Sequence, residues 1–189
     1  MDGHQVERLR AALRGTAWWT RALGVGAAVR RTSAAGGLLV VGTPTDEPWH
    51  FTAHLDDEAR WSGLSQLRPT LVRWEPPPGA PPHLAVGLDR LEGAGRGETV
   101  VVVAPDTAPE GLLERLADAR RVGATVVSLD TGDPDLEGLA HERFVVGPSG
   151  LVLPRRLDAG ATGGIETGLT VAQHLVTTAA AANDRVAAR

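Results

Sequence analysis

The chain has 189 residues, a formal net charge of −4 and no cysteine. This length predicts one domain, the negative charge argues against a nucleic-acid or membrane partner held by charge, and the lack of cysteine excludes disulfides and thiolate chemistry. All 19 basic residues are arginine, which also excludes Schiff-base catalysis and lysine-dependent phosphate sites. The first residues lack the apolar stretch of a signal peptide, so we expect a cytoplasmic protein.

Two helices are predicted in residues 1–35. Asp2 is a suitable cap for the first helix, and Thr16 begins a second one that carries Trp18 and Trp19. Adjacent helical residues point about 100° apart, so only one of the two rings is expected to face the core. The other either shields an edge of the core or lies in a subunit interface, where tryptophan is enriched.

Short apolar segments alternate with helical patterns through the rest of the chain. Buried strands are predicted at residues 38–41, 70–74, 99–103, 125–129 and 144–146. Helices are predicted at residues 50–67, 84–91, 136–141 and 165–186, and another helix is predicted between Pro109 and Gly123.

Residues 99–130 carry the clearest fold signal, because two β-branched buried strands are joined there by a helix of about three turns. Such a βαβ unit predicts parallel strands. We therefore expect an α/β fold with a five-stranded parallel doubly wound sheet, flavodoxin-like or Rossmann-like, with two N-terminal helices and a long C-terminal helix. The expected organisation is a single domain over residues 1–189, with the N-terminal helices in 1–35 and the α/β core in 36–189.

The loops after two of the strands are candidate ligand sites, because parallel sheets bind ligands beyond the carboxyl ends of their strands. Residues 42–46 offer the hydroxyl groups of Thr43 and Thr45, which suit an anion, although an ordinary turn before a helix has the same residues. Residues 104–109 form the second loop.

Two stretches carry local motifs that resemble a known family. Residues 101–125 contain a strand, a loop, Pro109-Glu110 at a helix start and Gly123-Ala124 before the next strand, and residues 166–173 read ETGLTVAQ. Both are similar to the SIS (sugar isomerase) phosphosugar-binding domain family. The resemblance implies a carbohydrate-binding α/β domain that works as a homodimer. The ligand-binding residues that it implies are Thr43, Thr45, Asp106, Thr107 and Glu166.

The loop after the third strand departs from the family's pattern of small hydroxyl residues around a phosphate. It reads Ala104-Pro105-Asp106-Thr107-Ala108. Pro105 has no N–H to donate. Like charges about 4 Å apart repel by about 4 kcal/mol at an effective dielectric constant near 20, so Asp106 disfavours a dianion. A neutral sugar, or no ligand at all, fits this loop better than a sugar phosphate.

Isomerases that resemble this fold often move a proton with a glutamate before the last helix and a histidine. Glu166 and His174 match these roles by position. The alternatives are a favourable charge at a helix N-terminus for Glu166, and a place on the helix surface or in an interface for His174. We therefore predict a non-catalytic, dimeric SIS-like module that senses a small sugar-like effector or scaffolds a partner protein. A sugar or sugar-phosphate isomerase or lyase is the alternative.

His50 and His54 are four residues apart, and Asp57 and Glu58 follow closely. This spacing places both imidazoles on one helical face, where they can bind a divalent metal. It does so only if the helix begins early enough, and Trp49 favours a later start. A solvated polar face is the preferred interpretation, and no metal or cofactor is expected.

Overall fold

The computed structural model describes residues 11–147 and 165–181. Residues 11–13 are helical, while the remainder of the first predicted helix, including Asp2, lies outside the described residues. The same holds for residues 148–164 and for the part of the last predicted helix beyond residue 181.

The strands form one parallel sheet in the order β2-β1-β3-β4-β5. They are β1 Leu38–Val41, β2 Pro69–Val72, β3 Thr99–Ala104, β4 Thr125–Asp130 and β5 Glu142–Val145. β1 pairs with β2 on one side and with β3 on the other. The order of strand addition therefore reverses between β1 and β3, as in flavodoxin-like sheets. The predicted five-stranded doubly wound fold is confirmed.

Helices cover both faces of the sheet. They are α1 Ala17–Arg30, α2 Trp49–Ser62, α3 Asp89–Glu92, α4 Glu110–Arg121, α5 Pro134–Leu139 and α6 Ile165–Ala181. Two short 3-10 segments, Ser65–Leu67 and Pro82–Leu84, lie before β2 and after it. The core beneath α1, α2 and α6 is separate from the core beneath α3, α4 and α5.

The alternation of side chains along the strands divides the core between these two layers. In β1, Leu38 and Val40 pack on the side of α1, α2 and α6, while Leu39 and Val41 pack on the opposite side. All four residues are completely buried. Because both faces of a central parallel strand are covered, its sequence is an unbroken apolar run rather than an alternating one.

The helix predicted at residues 50–67 differs at both ends. It begins at Trp49, so it includes His50, and the expectation of a later start is wrong. It ends at Ser62 because Gly63 adopts the left-handed conformation with φ 70°, which glycine reaches without steric cost. This earlier start places His50 and His54 on one face of α2.

The prediction of a single helix at residues 84–91 is wrong. The backbone of Arg73 pairs with this segment instead, and its N–H donates to the carbonyl oxygen of Val86 at 2.9 Å. This pairing holds residues 86–87 in an extended conformation, and only the short helix α3 follows them. The helix predicted at 136–141 lies two residues earlier, because the Asp133 carboxylate caps it by accepting from the N–H of Asp135 at 2.9 Å.

Both tryptophans of α1 pack against the core, so the expectation that only one faces it is wrong. The helix begins where it was predicted, and Thr16 caps it by accepting from the N–H of Trp19. Trp18 and Trp19 are each half-buried against the core under α1. The ring of Trp18 meets Phe144 edge-on at a centroid distance of 5.0 Å. An indole is long enough to lie across the helix surface, so a 100° difference in direction does not keep the second ring out.

In the described part of the chain, no helix combines the length and apolar character needed to cross a bilayer.

Candidate functional site

The point where the strand order reverses brings two loops together. β1 and β3 are adjacent and parallel, with Val41 opposite Val102. The loop that follows β1 and the loop that follows β3 therefore leave the same edge of the sheet side by side. In sheets of this kind, the crevice between such loops is the usual place for a ligand.

The loop after β1 is tight because of Gly42. A Cβ atom at this position would lie 1.8 Å from the carbonyl oxygen of Asp46, so no other residue fits. The turn is closed by a hydrogen bond from the N–H of Asp46 to the carbonyl of Thr43 at 3.2 Å. The indole N–H of Trp74 donates to the Gly42 carbonyl at 2.9 Å. These contacts fix the position of Thr45 within the turn.

Three side chains connect the two loops. The hydroxyl groups of Thr43 and Thr45 lie 3.1 Å apart, and Thr45 donates to the Asp106 carboxylate at 2.5 Å. Partial burial raises the pKa of Asp106, but the hydroxyl groups of Thr45 and Thr43 lower it more, so the net pKa is below its usual value. Asp106 is thus held as a carboxylate at the switch point.

The loop after β3 has few backbone donors left for an anion. Pro105 and Pro109 have no N–H, and the N–H of Ala108 donates to the Asp133 carboxylate at 2.8 Å. Asp133 is itself buried and serves as the cap of α5. The geometry supports the interpretation that this loop does not cradle a phosphate, because two positions lack a donor and a third is already engaged.

A pocket of about 530 Å³ opens between these loops. Its size is typical of small-molecule sites. The described residues that line it come from the loop after β1, the start of α2, the loop after β3 and α6. They are Thr45, Asp46, Glu47, Pro48, Trp49, His50, Phe51, Pro105, Asp106, Leu169, Thr170 and Gln173.

The charge of this lining is negative. Among its described residues, Asp46, Glu47 and Asp106 are carboxylates and none is an arginine. Glu47 forms an ion pair with Arg73 at 3.0 Å, and Arg73 is not part of the lining. The pocket also has an aromatic side at Trp49, whose side chain is 61% exposed.

Of the ligand-binding residues expected from the sequence, Thr45 and Asp106 line the pocket. Thr43 is buried and does not line the pocket, and its hydroxyl group contacts that of Thr45. Thr107 is exposed on the same loop but does not line the pocket. Glu166 belongs to the first turn of α6, and its side chain lies outside the described residues.

A second group of side chains lies beside this pocket. His50 and His54 of α2 approach each other with their Nε2 atoms 3.0 Å apart. His174 of α6 joins them, and one nitrogen from each of the three rings lies within 4.8 Å of the others. His174 is only 6% exposed, so the surface position considered for it is wrong.

Burial and mutual proximity lower the pKa values of two members of this cluster, His54 and His174. Burial lowers the pKa of His174 to about 4, and the neighbouring His54 and His50 act in the same direction. The pKa of His54 is lowered first by burial and then by His50, while Asp57 opposes the shift. The sequence shows the pair on α2, but no periodicity connects it to a histidine in the last helix.

Comparison with known proteins identifies the fold. No protein-family model matches the chain, and no curated protein sequence matches it. The chain is similar to the crystal structure of a provisionally assigned phosphosugar isomerase from Silicibacter pomeroyi DSS-3, with a TM-score of 0.53 and 14% identity over 95% of this chain and 48% of that one. It is also similar to a provisionally assigned sugar binding protein from Salmonella typhimurium LT2, with a TM-score of 0.49 and 16% identity over 94% of this chain and 47% of that one.

This similarity concerns the architecture. At 14% identity the first solved structure supports an SIS-like α/β fold for this chain. The chain spans about half the length of both solved structures.

Proposed function

We propose that this chain is a carbohydrate-binding module of SIS-like fold, whose pocket between the β1 and β3 loops takes an uncharged sugar or polyol. The observation that carries the proposal is the Asp106 carboxylate, which Thr45 holds at the pocket wall through a 2.5 Å hydrogen bond. The SIS-like fold and the similarity to a structure described as a phosphosugar isomerase support the ligand class.

The chemistry of the pocket favours hydroxyl groups over phosphate. A carboxylate accepts hydrogen bonds from sugar hydroxyls, and such charge-assisted bonds are stronger than neutral ones. The lining also offers the Gln173 amide, which can accept and donate, and the Thr45 hydroxyl oxygen, which can accept while its proton is donated to Asp106. The exposed ring of Trp49 gives the apolar face of a sugar a surface to pack on. A phosphate group would instead meet the carboxylates of Asp46 and Asp106, together with a Glu47 carboxylate that is already paired with Arg73, and no arginine among the described lining residues.

Binding can be tested by calorimetric titration of the whole chain with glucose, fructose and sorbitol, and with the 6-phosphates of the two sugars. We expect at least one neutral compound to bind more tightly than any phosphate. D106N should weaken that binding about tenfold, because it replaces a hydrogen bond to a charged group, which contributes about 1.5–3 kcal/mol, by a neutral one, which contributes about 0.5–1.5 kcal/mol. D118N is the matched control, since Asp118 is exposed on α4 and does not line the pocket.

Tighter binding of a sugar phosphate than of any neutral compound would contradict the proposal. Equal losses of affinity in D106N and D118N would contradict the assigned site. Both outcomes are read from the same titrations, so neither depends on knowing the natural ligand.

We further propose that the module acts as a non-catalytic sensor and as a homodimer. A preformed pocket suits an effector better than a purely scaffolding role, because a scaffold needs no enclosed site. Trp61 is 79% exposed at the end of α2, and exposed tryptophan is enriched in protein interfaces. Light scattering of the wild type should give a molecular mass twice that of one chain. W61Q should give a lower molecular mass in the same measurement. A monomer at all concentrations would refute the dimer.

An isomerase remains the second candidate because His174 lies next to Gln173, which lines the pocket. A neutral imidazole can accept a proton, and Glu166 would be its partner. This function predicts that incubation of a bound sugar with the protein in deuterated water exchanges the proton next to the carbonyl. E166Q should abolish that exchange, and an unchanged rate would exclude the assigned role.

A further inference from the structure

The three histidines beside the pocket come from distant parts of the sequence. His50 and His54 occupy successive turns of α2, while His174 belongs to α6. One nitrogen of each ring lies within 4.8 Å of the others, and the rings of His54 and His174 are 4.5 Å apart between centroids. Their nitrogen atoms therefore converge on one point between the two helices.

Hydrogen bonding between the rings explains only part of this arrangement. His50 and His54 can share one hydrogen bond at 3.0 Å. Each imidazole nevertheless has two nitrogen atoms, and a neutral ring offers one of them as an acceptor. Gathering three such rings concentrates lone pairs at one place, and no carboxylate belongs to the three-residue cluster. A cation with affinity for nitrogen would satisfy all three at once.

We propose that His50, His54 and His174 bind a divalent transition-metal ion, with Zn²⁺ as the preferred ion. Imidazole is a good ligand for zinc, copper and nickel, whereas magnesium and calcium require oxygen ligands. A tetrahedral zinc ion with Zn–N distances of about 2.0–2.1 Å places its ligand nitrogens about 3.4 Å apart. The observed separations of 3.0 Å and up to 4.8 Å bracket this value.

The cluster has the accessibility and charge that this proposal requires. His174 is buried, His54 is half-buried and His50 is exposed, so an ion can reach the site from solvent. The pKa values of His54 and His174 are lowered, so both rings are in the neutral form that binds metals. Asp57 lies close enough to His54 to act on its pKa, and a nearby carboxylate would partly neutralise the ion.

The proposed metal site adjoins the pocket, because His50 belongs to both the cluster and the pocket lining. Three protein ligands with one open position are typical of zinc sites that contact substrate, whereas purely structural zinc sites use four protein ligands. This assignment goes beyond carbohydrate binding and does not depend on it.

The test uses the full chain without a histidine tag, stripped with a chelator and titrated with Zn²⁺ by calorimetry and with Co²⁺ by visible absorption. We expect one ion per chain, an intense tetrahedral Co²⁺ spectrum and a higher melting temperature with Zn²⁺. Mg²⁺ and Ca²⁺ should have no effect. H50A should weaken Zn²⁺ binding at least about 100-fold, since even indirect partners of metal ligands contribute about 10–100-fold.

His83 provides the matched control, because it is an exposed histidine that takes no part in the cluster. H83A should bind zinc as the wild type does, and circular dichroism should show that H50A remains folded. Wild-type binding of Zn²⁺ that is weaker than micromolar would overturn the proposal. Zn²⁺ binding by H50A that is as tight as that of the wild type would overturn it as well. Because no sugar is present, these outcomes are separate from the test of carbohydrate binding.

Discussion

The buried His174 should make the stability of the metal-free protein fall in weak acid. Its pKa is about 4 in the folded chain and 6.5 in the absence of structure. Below pH 6.5 the unfolded chain takes up a proton that the folded chain does not, so the free energy of unfolding decreases as the pH falls toward 4. Linkage gives a loss of about 2 kcal/mol between pH 7 and pH 5 from this residue.

The measurement is urea unfolding of the chelated protein at both pH values, followed by far-ultraviolet circular dichroism. H174L removes the titrating group and keeps a similar apolar volume in the core. Its stability should change by about 2 kcal/mol less than that of the wild type over the same pH interval. Other groups that titrate in this range cancel in the comparison. If both proteins lose the same stability, the lowered pKa and the burial that causes it are refuted.

Three further predictions concern the frame around the site. R143M should destabilise the protein by about 3–5 kcal/mol, because it leaves the fully buried Asp130 carboxylate without its 2.6 Å ion pair; a loss below about 1 kcal/mol in urea would contradict this. G26V should lower the melting temperature, since a Cβ there would lie 2.7 Å from the Cβ of Ala179 in α6; an unchanged temperature would refute the close helix contact. G42A should distort the loop after β1 and weaken ligand binding more than G138A, whose site has open space around it; equal effects would show that the loop does not shape the pocket.

The strands and the parallel sheet could be predicted because their signals are local. An unbroken β-branched run such as residues 99–103 fits only a strand covered on both faces. Pro109 and Gly123 correctly predicted where α4 begins and ends. The prediction was wrong at residues 84–91, where a backbone contact with Arg73 overrides the helical pattern. A long-range pairing of this kind leaves no periodic trace in either segment.

The candidate site could likewise be predicted from the sequence only in part. Asp106 and Thr45 could be named from the sequence, since each follows a predicted strand and the carboxyl ends of parallel strands share one edge. Their hydrogen bond could not be predicted, because it depends on the register of β1 against β3. The hydrogen bond from the Ala108 N–H to Asp133 was missed because it depends on the register of β3 against β4.

The sequence by itself determined the α/β class, the strand and helix order and the scarcity of backbone donors in the loop after β3. These properties follow from residue types and short-range spacing, which act before the chain is folded. Only the tertiary structure decided that His174 meets His50 and His54, since α2 and α6 are adjacent only after the sheet has assembled. A convergence of side chains more than a hundred residues apart is a property of packing, and it changed an ordinary helical histidine pair into a candidate metal site.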